Sequence, residues 1–117
     1  MTGYIYEHLE IYSKGMASVV LTKEVLERFQ ATDQLASLVV SVPGTVEGIL
    51  AWSMYVEQED GTFRVHLRSK GPTVNHIAQA FGGGGHTLAC GIPSVTKSQI
   101  LEVDAELKEA VKTFKKN

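Results

Sequence analysis

The spacing of apolar side chains changes several times along the chain, and each change marks a new element. Ile5, Leu9 and Tyr12 recur at helical intervals. That predicts a short helix over residues 4–12, with Gly15 capping it after a Ser13–Lys14 turn. Met16–Leu21 is a compact run with β-branched residues and reads as a buried strand. Thr22 is suited to cap a helix from Lys23 to about Gln30, with Val25, Leu26 and Phe29 facing inward. Residues 31–48 fit neither period. The expectation there is a short helix running into an extended segment, then loop chemistry at Pro43-Gly44-Thr45-Val46-Glu47-Gly48.

The second half is more regular. Ile49–Glu57 is apolar on both faces, as an interior strand requires. Glu59-Asp60-Gly61 supplies a hairpin turn. Thr62–Arg68 then alternates strictly, with Phe63, Val65 and Leu67 on one side and Arg64, His66 and Arg68 on the other. Thr73 is placed to cap a helix in which Val74, Ile77, Ala78 and Phe81 form one stripe. Gly82 is placed to end that helix. Gly91–Val95 reads as a short final strand. Thr96 and Gln99 match a capping box, and Ile100, Val103, Leu107, Ala110, Val111 and Phe114 form the inner stripe of a last helix. The sum is an α+β domain: a mixed β-sheet of about four to five strands with about four helices packed on it.

Composition narrows the function classes. A chain of 117 residues suits one domain with one core. Its net charge of −2 provides no global basic field for gripping long duplex nucleic acid, but allows a small anionic ligand or a short nucleic-acid end. The single cysteine, Cys90, excludes an internal disulfide framework and fits a reducing cytoplasm. No apolar run is long enough to span a membrane, and the N-terminus lacks the pattern of a signal peptide.

One stretch departs from all this regularity: Ala80-Phe81-Gly82-Gly83-Gly84-Gly85-His86-Thr87-Leu88-Ala89-Cys90-Gly91. Glycine costs more backbone entropy to order than any other residue. A flexible linker would have polar flanks, whereas these flanks are apolar and patterned. Two readings follow. One is an ordered loop whose successive N–H groups, with His86, form a concavity for an anion. The other is a tight connection with a solvated histidine. Arg68, at the end of its strand, is placed to give a phosphate two hydrogen bonds, whereas Arg64 and His66 read as a half-exposed sheet face. Cys90, among small apolar neighbours, reads as a buried thiol.

The residues Arg68-Ser69-Lys70, Val74-Asn75-His76-Ile77-Ala78, Phe81-Gly82-Gly83-Gly84-Gly85-His86 and Ala89-Cys90-Gly91 resemble the signature of the DHHA1 domain. This is the C-terminal domain of DHH-family phosphoesterases. The resemblance extends from about residue 5 to 114 and is to the nano-RNase A branch, the oligoribonucleases and phosphoadenosine-phosphate phosphatases. It implies that residues 1–117 form one substrate-binding domain, whose parent is a phosphodiesterase or an exopolyphosphatase-like phosphoesterase. A separate DHH catalytic domain would carry two metal ions, usually manganese (Mn2+). By position, Gly82, Gly83, Gly84, Gly85 and His86 would line the substrate site, and Arg68 with Ser69 would meet a substrate phosphate. The partners implied are short RNA or a nucleotide bisphosphate, and the DHH domain.

Two departures qualify the resemblance. No Asp-His-His triplet occurs, and Asp33, Asp60 and Asp104 are far apart in sequence, so no two-metal hydrolytic centre is expected in this chain. The arginine often found after the proline of the Pro43 segment is Gly44 here. Two other classes remain open beside the substrate-binding reading. One is a nucleic-acid-binding module, as in the DHHA1-like domains of alanyl-tRNA synthetases; the other is a homodimerisation domain using one of the apolar stripes.

Overall fold

The computed structural model describes residues 1–12 and 15–116. The chain runs α1 (Thr2–His8), β1 (Glu10–Tyr12), β2 (Met16–Leu21), α2 (Lys23–Arg28) and α3 (Asp33–Leu38), then a 3-10 turn over Val42–Thr45. It continues through β3 (Ala51–Glu57), β4 (Phe63–Ser69), α4 (Asn75–Ala80), β5 (Gly84–Gly85), β6 (Ala89–Val95) and α5 (Lys97–Lys116). The strands form one mixed sheet in the order β1-β2-β3-β4-β6-β5. Among the described residues, only the β2–β3 pair is parallel. The α+β expectation therefore holds, with six strands and five α-helices among the described residues.

Helices cover the sheet on both sides, but unequally. On the first side α4 and α5 pack across the sheet. Val74, Ile77, Val103, Leu107 and Val111 meet Met16, Ala51, Tyr55, Val65, Leu67, Cys90 and Ile92 there. On the second side α1, α2, α3 and the 3-10 turn cover only β2 and β3, where Ile5, Ala36 and Val40 meet Val19, Leu21, Met54 and Val56. Trp52 joins Ala17 and Ile49 in a neighbouring cluster on that side. β3 is buried from Ala51 to Val56 because helices lie on both of its faces.

Several expectations need correction. The helix expected over residues 4–12 stops at His8, Leu9 is extended, and Glu10–Tyr12 pairs with β2. Ile5 and Tyr12 have helical spacing, yet they pack on opposite sides of the sheet. Gly15 therefore closes a hairpin instead of capping a helix. Its φ is +90° and its N–H donates to the Tyr12 carbonyl at 3.1 Å. The Ser13–Lys14 turn itself lies outside the described residues. The segment expected to extend from α3 becomes a 3-10 turn around the buried Pro43. Thr73 does not cap α4, whose first cap residue is Val74 with no side-chain bond. The capping box of α5 is present: the Thr96 N–H donates to Gln99 Oε1 at 2.7 Å, and the Gln99 N–H to Thr96 Oγ1 at 3.4 Å.

Asp104 is the polar residue that sequence reasoning passed over. It is 5 % exposed, on the inner face of α5. Its Oδ1 accepts hydrogen bonds from Ser53 Oγ at 2.7 Å and from Tyr55 Oη at 2.6 Å. A buried carboxylate requires such donors. Ser18 Oγ lies 3.1 Å from Ser53 Oγ, so the network reaches from α5 through β3 to β2.

Candidate functional site

Among the described residues, no helix covers the second side of β4, β6 and β5. The register shows what occupies it. Trp52 pairs with Arg68, and Arg68 with Ala89. His86 continues that row, exchanging backbone bonds with Ala89 at 3.0 and 3.3 Å. The next row runs Met54, His66, Gly91, Gly84. Residues paired across a ladder project to the same face. Arg64, His66, Arg68 and His86 thus share one face, floored by Ala89, Gly91 and Gly84. None of these residues, nor Pro93 beyond them, is acidic. A shallow groove of about 300 Å³ lies along this face between Arg64, His66, Gly91 and Pro93. Pro93 sits where the β4–β6 register shifts, a position that tolerates its missing N–H.

The floor is bare because of the glycines, and the fold itself requires three of the four in the run. The N–H of Gly82 donates to the Gln79 carbonyl at 3.2 Å and that of Gly83 to the Ala78 carbonyl at 2.7 Å. With Gly82 at φ +91°, this is a Schellman ending for α4. A methyl on Gly83 would come within 2.0 Å of the Gly91 carbonyl oxygen. One on Gly85, at φ +139°, would come within 2.8 Å of Cys90 Cα. Gly84 is different: its φ is not positive, and a methyl there would meet nothing within 4 Å. The fold of this chain gives no reason for glycine at 84.

The expected concavity of successive N–H donors is not formed. Gly82 and Gly83 donate to α4, Gly84 lies in the ladder with Gly91, and His86 donates to Ala89. The run is instead a short edge strand fastened to its surroundings. Leu88 accepts from the Ser69 N–H at 2.9 Å and Thr87 from the Val74 N–H at 2.8 Å. The hairpin tip that carries His86 is thereby held against both β4 and the start of α4.

Arg68 is half-buried and leans toward β6. Its Nη1 donates to the carbonyls of Leu67 at 3.0 Å and Cys90 at 3.2 Å. A guanidinium has five N–H donors, so one terminal nitrogen holds it while others remain for a ligand. Trp52 stands on its other side in the row, fixed by the bond from its Nε1 to the Val40 carbonyl at 2.7 Å. Ser69 lies elsewhere. Its hydroxyl donates to the Pro72 carbonyl at 2.5 Å and accepts from the Gly71 N–H at 3.0 Å, shaping the turn that leaves the sheet. Cys90 points into the core on the opposite side from His86. Burial pushes its thiol up from the ordinary value, partly offset by the charge of Arg68.

His66, read from the sequence as part of a half-exposed sheet face, lies half-buried on the bare face between Met54 and Gly91. Its signal was its place in one alternating row with Arg64 and Arg68. Among the described residues, no three His, Cys, Asp or Glu side chains are gathered where they could hold a metal ion. A groove of about 450 Å³ between the turn at Gly71 and α5 is lined by Glu106 and Glu109 and suits a phosphate poorly.

The comparisons with known proteins agree with this architecture. The chain belongs to the DHHA1 domain family, whose pattern matches residues 14–113. It is 38% identical over 112 residues to the probable bifunctional oligoribonuclease and PAP phosphatase of Streptococcus mutans, covering 96% of this chain and 36% of that protein. It is 37% identical over 112 residues to the bifunctional oligoribonuclease and PAP phosphatase of Bacillus subtilis, with the same coverage. The chain thus spans about a third of the length of these relatives. An exopolyphosphatase-related protein from Bacteroides fragilis shares the fold, with a TM-score of 0.79 at 24% identity over 97% of this chain and 34% of that one. Enzymes of the DHH family are metal-dependent, and DHHA1 domains accompany a DHH domain. Among the described residues, no helix is long and apolar enough to cross a membrane.

Proposed function

We propose that this chain is the substrate-holding domain of a DHH-family phosphoesterase acting on short RNA or a nucleotide bisphosphate. The observation that carries the reading is the bare face itself. Arg68, His66 and His86 surround a floor of glycine and alanine, with no carboxylate among them. Arg68 supplies charge-assisted hydrogen bonds to a phosphate. His86, about 10 Å across one intervening strand, donates to a second phosphate or to the leaving group. Gly84 and Gly91 let the substrate backbone lie directly on the sheet. The metal chemistry, with Mn2+ as the expected ion, belongs to a DHH domain closing over this face, and residues 1–117 serve as the single domain that presents the substrate to it. Ser69 supports the turn behind Arg68.

Binding of the dinucleotide pApA to this chain, followed by calorimetry, tests the reading. Arg68→Ala should weaken affinity by roughly tenfold or more, and Arg68→Lys should not restore it. His86→Ala should also weaken it. Unchanged affinity in Arg68→Ala contradicts the proposal. Hydrolysis of pApA by this chain with added Mn2+ would show that the catalytic centre is not elsewhere. Affinity that grows steadily with RNA length and falls steeply with salt would favour a general nucleic-acid module.

A further inference from the structure

We infer that the pocket between α1, the outer edge of β2 and the first turns of α5 is a site for a primary ammonium group. It lies toward the β1 end of the sheet, away from the bare face, and does not depend on the reading given to that face. The register makes the space. β1 pairs only with residues 16–18 of β2, whereas β3 pairs with the whole strand. Beyond Ser18 the outer edge of β2 therefore has no strand beside it. Tyr4 and His8 of α1, with Ile100, Leu101 and Asp104 of α5, close around that edge and leave a pocket of about 300 Å³.

The buried end of the pocket offers acceptors. Asp104 and Ser18 both line it, and each is 5 % exposed. Ser53 and Tyr55 have one hydroxyl proton each, and both protons go to Asp104 Oδ1, at 2.7 and 2.6 Å. Ser53 has none left for Ser18, so in their 3.1 Å contact the Ser18 hydroxyl is the donor. Among the described residues, nothing donates to Asp104 Oδ2 or to the lone pairs of Ser18 Oγ. No fully enclosed side-chain oxygen or nitrogen among them lacks a partner, so Oδ2 reaches the open space of the pocket.

Asp104 also has no counterion: among the described residues, no lysine or arginine pairs with it. Lys108, one turn further along α5, holds its ammonium over the Tyr12 ring, 3.8 Å from the centroid. A buried carboxylate that lacks a partner charge is costly, and a cation entering the pocket supplies one. Glu10 adds a second carboxylate at the exposed rim, where it accepts from Tyr12 Oη at 3.2 Å. Burial first, then Asp104 and Glu10, push the Tyr12 phenol up, which places both carboxylates around one ring. The rings of Tyr4 and His8, stacked with centroids 3.9 Å apart, and the side chains of Val20 and Ile100 form walls for an aliphatic stem.

The donor set distinguishes among cations. A guanidinium pairs best with both oxygens of a carboxylate, but Oδ1 is already filled. A quaternary ammonium has no N–H to give. Ca²⁺ and Mg²⁺ need about six oxygens, and the described residues gather no group of side chains able to hold a metal ion. A primary ammonium carries three donors on one compact charge: one for Oδ2, one for Ser18 Oγ, and one toward the rim. The volume limits the rest of the ligand to a short chain.

The test is a ¹⁵N amide titration of this chain with n-butylammonium, n-butanol, n-butylguanidinium and tetramethylammonium at one ionic strength. Butylammonium should bind at least about tenfold tighter than the other three, with saturable shifts at Ser18, Val20, Leu101 and Asp104. Asp104→Asn keeps an oxygen for Ser53 and Tyr55 but sets an amide donor in the place of Oδ2. It should weaken butylammonium about tenfold or more. Glu10→Gln, at an exposed position that leaves the core intact, should weaken it about two- to threefold. Butanol binding as tightly as butylammonium overturns the inference, because the pocket is then only apolar. Shifts that never saturate, or undiminished affinity in a folded Asp104→Asn protein, overturn it as well. The capped peptide acetyl-Gly-Lys-Gly-amide separates two sources of the group. Binding as tight as butylammonium assigns the site to a lysine side chain, weaker binding to a free amine, and either result supports the ammonium site. None of these outcomes bears on pApA binding at the bare face.

Discussion

The indole of Trp52 lies so close over Gly44 that a methyl group on Gly44 would come within 2.4 Å of the ring. Trp52 is 6 % exposed and is anchored by its bond to Val40, so the ring cannot simply swing aside. The resemblance described above leads one to expect an arginine at the position of Gly44. In this chain that volume belongs to the indole, which stands beside Arg68 in the same row of the sheet. A larger residue at 44 therefore competes with Trp52 for one space.

Gly44→Ala should destabilise the protein by about 1–3 kcal/mol, as overpacking does. In a Trp52→Leu background the same change should cost under about 0.5 kcal/mol. A double-mutant cycle by urea denaturation measures the difference directly. Additive effects would mean that the backbone at Gly44 moves away without loss.

The Asp104 network sets an alkaline limit on stability. Burial first, and then the nearby Asp104 carboxylate, push the Tyr55 phenol far above its ordinary 10.0. The folded state keeps this proton where the unfolded chain releases it. The contribution is complete below pH 10 and declines as pH rises above it, by about 1.4 kcal/mol per pH unit for one proton. Tyr55→Phe should lower stability near neutral pH by about 1.5–3 kcal/mol, because Asp104 loses a donor. It should also flatten the decline above pH 10. Urea midpoints measured at pH 7 to 11 for both proteins check the sign, and an equally steep decline in the variant would contradict it.

Much of this fold is legible in the sequence, because most elements carry one clean period. β3 and β4 follow from their apolar patterns, and α5 from its stripe and capping box. The failures have physical causes. Ile5, Leu9 and Tyr12 imitate a helix while serving two layers of the fold. β5 is two glycines, and a residue without a side chain has no polarity pattern to read. Asp104 was detectable: it stands three residues before Leu107 and four after Ile100, on the stripe that must face inward. Serine and tyrosine at 53 and 55, on one face of an interior strand, were its natural donors. The bare face could not be read from the chain alone. It exists because α1, α2 and α3 stop at β3, and only the tertiary arrangement shows where coverage ends.

Gly83→Ala should be among the more damaging small substitutions. Its methyl would meet the Gly91 carbonyl oxygen and Ile92 Cα, both backbone atoms of the neighbouring strand. A loss of roughly 3 kcal/mol is expected, at the upper end of overpacking penalties. Thermal unfolding measures it. A melting temperature equal to the parent's would show that β5 is only loosely held against β6.

Gly84→Val gives the most direct test of the central claim, that this face is left bare for a ligand and not for folding. The position has open space and ordinary φ, and valine suits a strand. The account predicts stability within about 0.5 kcal/mol of the parent, together with loss of pApA binding, because the side chain stands on the floor beside His66 and Gly91. Undiminished pApA affinity in a fully folded Gly84→Val protein would contradict it.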